Sequence, residues 1–560
     1  MATQNQTHSL PNTTIDPNTG FCSSSKIFHS LRPNVPLPPL SQPLSLTDYA
    51  LSLLPAAATA TENSALIDAT TGRQLSYSLF LCQVKSLASS IQSLTPLSKG
   101  HVALILIPTS LHVPVLYFSL LSLGVTVAPA NPLSTASELT HLVRLTKPAI
   151  AFTTSAVASN IPALKFGTVL TDSPLFLSML DANVDSHSRA PGVEVSQSDS
   201  AAILFSSGTT GRVKGVFLTH RNFIALISGY YHLRNNQLAA GEPEPHPVSL
   251  TTLPLFHVFG FFMLVRSIAL GETLVLMQRF DFEGMLKTVE RYKISMMPVS
   301  PPLVVALAKS DLVNKYDLSS LRMLGCGGAP LGEQVANDFK AKFPNVEISQ
   351  GYGLTESGGG AARTFGPEEV KRHGSVGRLS ENMEAKIVDP ETGEALPPCQ
   401  KGELWIRGPT IMKGYVGDEK ATAETLDSEG WLKTGDLCYF DSDGFLYIVD
   451  RLKELIKYKA YQVPPAELEH ILHTNPEIAD AAVVPYPDEE AGQIPMAFVV
   501  RKPGSNISAN QVMEFVAKQV SPYKKIRRVS FVNSIPKSPA GKILRRELVN
   551  YALSSGSSKL

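Results

Sequence analysis

A chain of 560 residues is longer than one hydrophobic core can organise, so at least two domains are required. Basic and acidic residues number 49 each, and this zero formal net charge excludes partners held by a strong overall field, nucleic acid and anionic membrane among them. Hydrophobic residues make up 43%, as in ordinary globular enzymes, and the five cysteines (Cys22, Cys82, Cys326, Cys399, Cys438) include no CxxC pair, which argues against a disulfide framework or a zinc site.

Residues 1–45 are rich in Ser, Thr, Asn and Pro, lack an apolar stretch long enough for a secretory signal, and are expected to be flexible. From Val102 to Ala130 there is no Asp, Glu, Lys or Arg, which meets the length test for a membrane span. Pro108, Pro114 and Pro129 interrupt it, and Gly124 precedes a β-branched run. A strand (VALILI), a core-facing helix (PVLYFSLLSL) and a second strand (VTVAPA) fit better, with no membrane span. Similar alternation from about Thr71 to Lys293 predicts helix-covered parallel sheets, with strands at Ala201–Ser206 and Glu272–Met277. Asp181–Asp199 reads as a surface loop. From Gly374 to Val449 short strands broken by VDPETGE, DSEG and DSDG predict a small antiparallel barrel. Beyond Asp450-Arg451 follow a helix at Ala466–His473, strands at AAVVPY and MAFVVR, and a helix opened by the capping box Ser508-x-x-Gln511. The fold class is therefore α/β: a large N-terminal domain of helix-covered parallel sheets plus a small β-barrel over 46–450, then a smaller α+β C-terminal domain over 454–552 and a tail over 553–560.

The sharpest local signal is SSGTTGRVKG, Ser206–Gly215, which follows a predicted strand and precedes a helical run. Ser206, Ser207, Gly208, Thr209, Thr210, Gly211 and Lys214 supply the hydroxyls, compliant backbone and charge that wrap triphosphate oxygens. A Walker loop is ruled out, because it needs Gly-Lys-Ser/Thr, whereas Val213 precedes Lys214 and Gly215 follows it. Two other residues are ambiguous by themselves. Lys542, before the basic helix start ILRRELV, suits a charge for a reacting phosphate and a solvated surface lysine equally well. His257, alone in LPLFHVFGF, reads first as a satisfied core histidine.

Further segments change those odds. GGAPLG (Gly327–Gly332), QGYGLTE (Gln350–Glu356), GELWIRG (Gly402–Gly408), TGD (Thr434–Asp436), DRLKE (Asp450–Glu454) and PKSPAGK (Pro536–Lys542) follow the phosphate loop in order. Over about residues 45–550 the chain resembles the adenylate-forming superfamily of acyl-CoA synthetases, firefly luciferase and peptide-synthetase adenylation domains. Within it the chain is most similar to plant 4-coumarate–CoA ligase-like proteins, whose peroxisomal branch also ends in Ser-Lys-Leu, here Ser558-Lys559-Leu560. The resemblance implies a carboxylic acid activated by ATP with Mg²⁺ and passed to coenzyme A, and it implies a peroxisomal import receptor as partner and the peroxisome as location.

It also implies roles for individual residues. Gly328, Ala329, Gln350, Gly351, Tyr352, Gly353, Thr355, Asp436, Arg451, Lys453 and Gln462 match the nucleotide site, where Asp436 offers two carboxylate oxygens to a ribose diol and Arg451 donates to the same sugar. Glu356 matches a magnesium ligand, an acceptor-only oxygen donor of the kind that ion prefers. Lys542 matches the lysine of adenylation, and His257 the wall between acyl pocket and coenzyme A channel. A hinge at 451–453 implies a mobile C-terminal domain, which brings Lys542 to one half-reaction and Lys457, Lys459 and Gln462 to the other. Ala460 departs from the glycine many relatives carry there, and Arg279 resembles a coenzyme A contact. The basic cluster Lys524, Lys525, Arg527 and Arg528 reads first as a solvated face, with help to the nucleotide phosphate as the alternative.

Phe259, Met263, Gly327 and Gly358 match the acyl pocket. Hydroxycinnamate ligases commonly carry tyrosine at the position of Phe259. With Phe261, Phe262 and Met263 behind it and Gly358-Gly359-Gly360 after the TES segment, an apolar wall opened by small residues suits an alkyl chain or a cyclopentyl oxylipin. Burying about eight methylenes at roughly 0.8 kcal/mol each outweighs one phenol hydrogen bond of about 1 kcal/mol. A fatty acid or jasmonate-precursor oxylipin is the expected substrate, with 4-coumarate as the alternative. A luciferase-like oxidase and an inactive nucleotide-binding protein are the readings from other classes, and the second is expected to have lost Lys542, Glu356 or Asp436, all present here.

Overall fold

The computed structural model describes residues 15–56, 58, 63–181, 193–206, 213–240, 246–459, 461–539 and 541–556. The apolar stretch Val102–Ala130 folds as a strand (Val102–Leu106), a helix (His112–Ser122) and a strand (Thr126–Pro129), with the strands paired in parallel. Pro114 falls in the first helical turn, where its missing N–H leaves no helical bond unmade. The helix is buried on nearly every side, so its even hydrophobicity reflects packing inside protein. Among the described residues no helix is long and apolar enough to cross a membrane.

These strands belong to a seven-stranded sheet ordered Gly414–Tyr415, Lys214–Thr219, Ser200–Ser206, Thr126–Pro129, Val102–Leu106, Ile150–Thr153, Thr168–Leu170. A nine-stranded sheet carries the second half of the large domain, and from Ser64–Asp68 to Glu347–Tyr352 its successive neighbours are parallel. Its central strands are near-continuous apolar runs (TLVL at Thr273–Leu276), as burial on both faces demands. The turn-rich region after Gly374 contributes Glu384–Val388, Gly402–Arg407, Leu432–Phe440 and Leu446–Arg451 to an antiparallel sheet.

One expectation needs correction. Residues 15–45 are not a loose arm: Ile27–His29 joins the antiparallel sheet through Phe28 and Ala385, and Phe28 is fully buried, stacked on Phe440 at 4.3 Å. The Ser/Pro composition concealed a few apolar anchors. The helical run expected after the phosphate-loop segment is present, with a strand, Lys214–Thr219, between them. Ser206 and Lys214 are register partners on antiparallel strands, and the helix His220–Ala240 begins only after the second strand. Residues 207–212 themselves lie outside the described residues.

The small domain folds around the hairpin Ile478–Asp488 and Gly492–Arg501, with Ile456–Tyr458, Tyr461–Val463 and Arg528–Phe531 completing its sheet. The predicted capping box is present: the Ser508 backbone N–H donates to Gln511 Oε1 at 2.9 Å and the Gln511 N–H to Ser508 Oγ at 3.3 Å.

Candidate active site

Parallel strands deliver ligand groups at their carboxyl ends, where backbone N–H groups and loops face an open crevice. Here the strands Met323–Cys326 and Glu347–Tyr352 end beside a cleft of about 580 Å³ between the two domains, lined among others by Gly328, Ala329, Gly351, Tyr352, Gly353, Asp436, Arg451 and Lys542. Cross-strand register sets the first pair: Asp436 and Arg451 are opposite one another on antiparallel strands, with Arg451 Nε 3.5 Å from Asp436 Oδ1. The Tyr352 hydroxyl donates to Asp436 Oδ2 at 2.6 Å. Burial pushes the Asp436 carboxyl above its ordinary range, while Arg451, Tyr352 and Lys542 favour its charged form. The result is a desolvated carboxylate, oriented from two sides, at the mouth of a cleft.

Lys542 reaches this cleft from the small domain on a tight turn. The Gly541 N–H donates to Ser538 O, the Ser538 N–H to Lys542 O, and the Lys542 N–H to Ser538 Oγ. Burial lowers the Lys542 ammonium to about 8, and Arg451 adds to the shift against the attraction of Glu454 and Asp436. A desolvated ammonium acts more strongly on a developing charge than a hydrated one, because little screening separates them. Behind it Arg545 bridges Glu454 at 2.9 Å and Glu469 at 2.6 Å, and Glu469 also accepts the Val483 N–H at 2.7 Å. Asp450 accepts the N–H groups of Arg451 and Ala466, so the strand that carries Arg451 is bonded to the start of the next helix.

On the phosphate side, Ser206 Oγ is buried with no hydrogen-bond partner among the described residues, at the entrance to the loop, a donor available to a phosphate oxygen. Lys214 Nζ rests 4.3 Å from the centre of the Tyr415 ring, and the Tyr415 hydroxyl donates to Glu356 Oε1 at 2.9 Å. Tyr415 thus orients the carboxylate that would hold a magnesium ion and seats the loop lysine as well. A hard-oxygen donor backed by a neutral phenol fits that ion, whose role would be to neutralise phosphate charge. Tyr415 was not singled out from sequence; its only signal was its place seven residues after the GELWIRG segment.

A second cluster gathers residues expected on the acyl side. His257 caps helix α1 (Val258–Ala269) by accepting the Phe259 N–H at Nδ1, 3.3 Å away, and burial lowers its imidazole to about 4, so the ring is neutral. A Cβ on Gly327 would lie 3.4 Å from the Phe259 ring, and one on Gly359 3.3 Å from Val258. At Gly353 an added Cβ would meet Gly359 O at 2.4 Å, so only glycine lets these two backbones touch. Met263 is buried in the core beside Phe261 and Phe262, and Gly358 ends the short Thr355–Ser357 turn. Gln350 is buried with its backbone bonded to Thr364.

The other predicted positions lie elsewhere. Arg279 is exposed and outside the cleft lining, as is Lys453. Lys457 and Gln462 are register partners on an exposed hairpin, and Lys459 on the same hairpin pairs with Glu490 at 3.0 Å. Gln462 therefore does not share the cleft with Asp436 in this domain arrangement, and Ala460 is outside the described residues.

Two family models match the chain, that of the AMP-binding enzyme over residues 55–416 and that of the AMP-binding enzyme C-terminal domain over residues 467–542. The chain belongs to the AMP-binding enzyme family. It is an acid–CoA ligase, with ATP and coenzyme A as co-substrates. It is 61% identical to 4-coumarate–CoA ligase-like 9 of Arabidopsis thaliana, over 98% of each chain. It is 45% identical to Peroxisomal OPC-8:0-CoA ligase 1 of the same plant, over 97% of this chain and 99% of that one. The o-succinylbenzoate CoA synthetase of Bacillus subtilis, solved with its acyl-adenylate, superposes with a TM-score of 0.73 at 25% identity, over 89% of this chain and 97% of that one.

Proposed function

We propose that this acid–CoA ligase acts on a medium- or long-chain fatty acid or a cyclopentyl oxylipin of the jasmonate-precursor type. The observation that carries the reading is the apolar wall in which the Phe259 ring lies against Gly327, with Val258 beside Gly359. This wall presents hydrocarbon where a hydroxycinnamate pocket needs a hydroxyl partner, and a phenol bound there would lose its hydrogen bond to water. A relative named for an OPC-8:0 substrate, at 45% identity, supports the same direction. The second reading is 4-coumarate, favoured by the names of other relatives.

In the first half-reaction a carboxylate oxygen attacks the α-phosphorus and pyrophosphate leaves, with Lys542 beside the developing charge and Asp436 and Arg451 on the ribose. Gly328, Ala329, Gly351, Tyr352 and Gly353 line the nucleotide cleft, and Ser206 with residues 207–211 and Lys214 serves the phosphates. Thr355 and Gln350 support this wall, and Glu356 would hold Mg²⁺, which would neutralise phosphate charge. In the second half-reaction the coenzyme A sulfur attacks the acyl carbonyl and AMP leaves. Rotation about Lys453 then replaces Lys542 by the hairpin of Lys457, Lys459, Ala460 and Gln462, while His257 flanks the thiol path and Arg279 meets coenzyme A.

Purified protein with ATP, Mg²⁺ and coenzyme A should form thioesters from C8–C12 and oxylipin acids with kcat/KM at least about tenfold above that for 4-coumarate, the equivalent of roughly two buried methylenes. Equal turnover of the two classes sinks the preference. We further propose that Ser558-Lys559-Leu560 addresses the protein to the peroxisome, where β-oxidation consumes acids as thioesters. Deleting these three residues should leave the activity intact and the protein cytosolic; continued import refutes the address.

A further inference from the structure

The two domains meet along helix α2 (Pro301–Lys309), which grips the small domain at both ends. At its start, Ser300 is the N-cap residue but makes no side-chain capping bond. A Cβ on Gly541 would lie 2.7 Å from Ser300 Oγ and 3.7 Å from Pro302. The turn that carries Lys542 is therefore laid on the first turn of α2, and Gly541, at φ +81°, supplies both the clearance and the left-handed backbone this needs. About 13 Å further on, nine residues at 1.5 Å each, Lys309 ends the helix.

Lys309 reaches out of its own domain. Its Nζ donates to His473 O at 3.1 Å and to Ile478 O at 3.3 Å, both in the small domain. His473 lies in the last turn of helix α3 (Pro465–Thr474), where carbonyls lack helical partners and the helix dipole is negative. The carbonyls at the end of α2 itself are served by Lys342, whose Nζ donates to Ala308 O and Ser310 O, which leaves Lys309 to point across the cleft. The seat is stiff, since Asp480 takes His473 at 3.3 Å and Lys537 at 2.6 Å, and Lys537 pairs with Ile543 at the base of the Lys542 turn. Earlier on α3, the His470 ring sits 3.2 Å from where a Cβ on Gly332 would be.

We infer that Lys309 is a positioning residue for acyl-adenylate formation: by capping the C-terminal end of the small-domain helix from the large domain, it holds the arrangement that keeps Lys542 over the nucleotide cleft. Rotation to the thioester-forming arrangement must release both carbonyls, so Lys309 weights the first half-reaction against the second. The kinetic part of this rests on the two-face reading above, whereas the latch itself is a statement about domain contact.

The test is the full-length Lys309→Met variant, which keeps the aliphatic stem and loses the donors, beside Lys309→Arg. Single-turnover acyl-adenylate formation should fall about tenfold, the weight of one charge-assisted hydrogen bond, in Lys309→Met and recover in part in Lys309→Arg. Conversion of supplied acyl-adenylate and coenzyme A to thioester should run at or above the wild-type rate. Hydrogen exchange at residues 470–480 should rise in Lys309→Met with the N-terminal sheets unchanged. Unchanged exchange at 470–480 overturns the latch whatever the kinetics, and so does raised exchange with adenylate formation at the wild-type rate. If Lys542→Ala and Lys457→Ala each lose both half-reactions equally, the two-face reading fails, and the exchange difference alone then decides the latch.

Discussion

Lys542→Ala is expected to abolish acyl-adenylate formation while sparing the conversion of a supplied acyl-adenylate to thioester. The structure places Lys542 in the lining of the same cleft as Asp436 and Arg451, held by the Ser538 turn and desolvated by its surroundings. Losing one preorganised charge from such a site slows the step it serves by about 10²–10³. The exposed hairpin of Lys457 and Gln462 is untouched by the change, so the second step should proceed. The pH profile carries a second signature. With the ammonium lowered to about 8, kcat/KM for ATP in the first half-reaction should decline as pH rises through about 8, because the charged form is lost there. Stability should move the opposite way: between about 8 and the ordinary 10.5 the unfolded chain binds the extra proton, so this group adds stability as pH rises. Pyrophosphate exchange and thermal unfolding, measured on both proteins across that range, read the two trends separately. Equal loss of both half-reactions in Lys542→Ala would overturn the assignment.

The largest structural effect is expected away from the cleft. Arg363 and Glu381 form a pair at 2.6 Å with side-chain exposures of 7% and 4%, and the Arg363 guanidinium lies 4.2 Å from the centre of the Tyr230 ring. Gly229 is the point of close approach, where a Cβ would lie 2.5 Å from Glu381 Oε2. Arg363→Met leaves the carboxylate buried without its counter-charge, which destabilises by about 3–5 kcal/mol. Arg363→Met combined with Glu381→Leu removes both charges, so it should recover much of that loss. Denaturant unfolding of the two singles and the double checks this; a double variant as unstable as the sum of the singles would show that the two charges are not coupled and would overturn the prediction. Because Arg363 stands in the strand after the Gly358–Gly360 segment, the single variant should also weaken acid binding.

Part of the candidate site is legible in residue order alone. Local composition marks Ser206–Gly215 as a phosphate loop, since hydroxyls, glycines and a lysine in one short run have few other uses. The Val102–Ala130 strand–helix–strand unit is likewise legible, because proline spacing and β-branching act over a few residues. The pairing of the strands that flank the loop is not, for Lys214–Thr219 pairs back on Ser200–Ser206 and with Gly414–Tyr415, some two hundred residues away. Tyr415 was missed for the same reason: only the fold puts its hydroxyl on Glu356, 59 positions earlier. The N-terminal segment was misread because its polar residues outnumber its anchors, yet one buried Phe28 suffices to add a strand.

The sequence by itself determined the chemistry, since the motifs name the donors, acceptors and charges that handle ATP and a carboxylate, and these are properties of side chains at short spacing. Tertiary structure alone decided which of them work together. Asp436 meets Tyr352, Lys542 enters from a second domain, and Lys309 crosses between the two, because strand register and domain contact couple residues far apart in the chain. Hydrophobic periodicity specifies which face of an element is buried, but not which partner buries it.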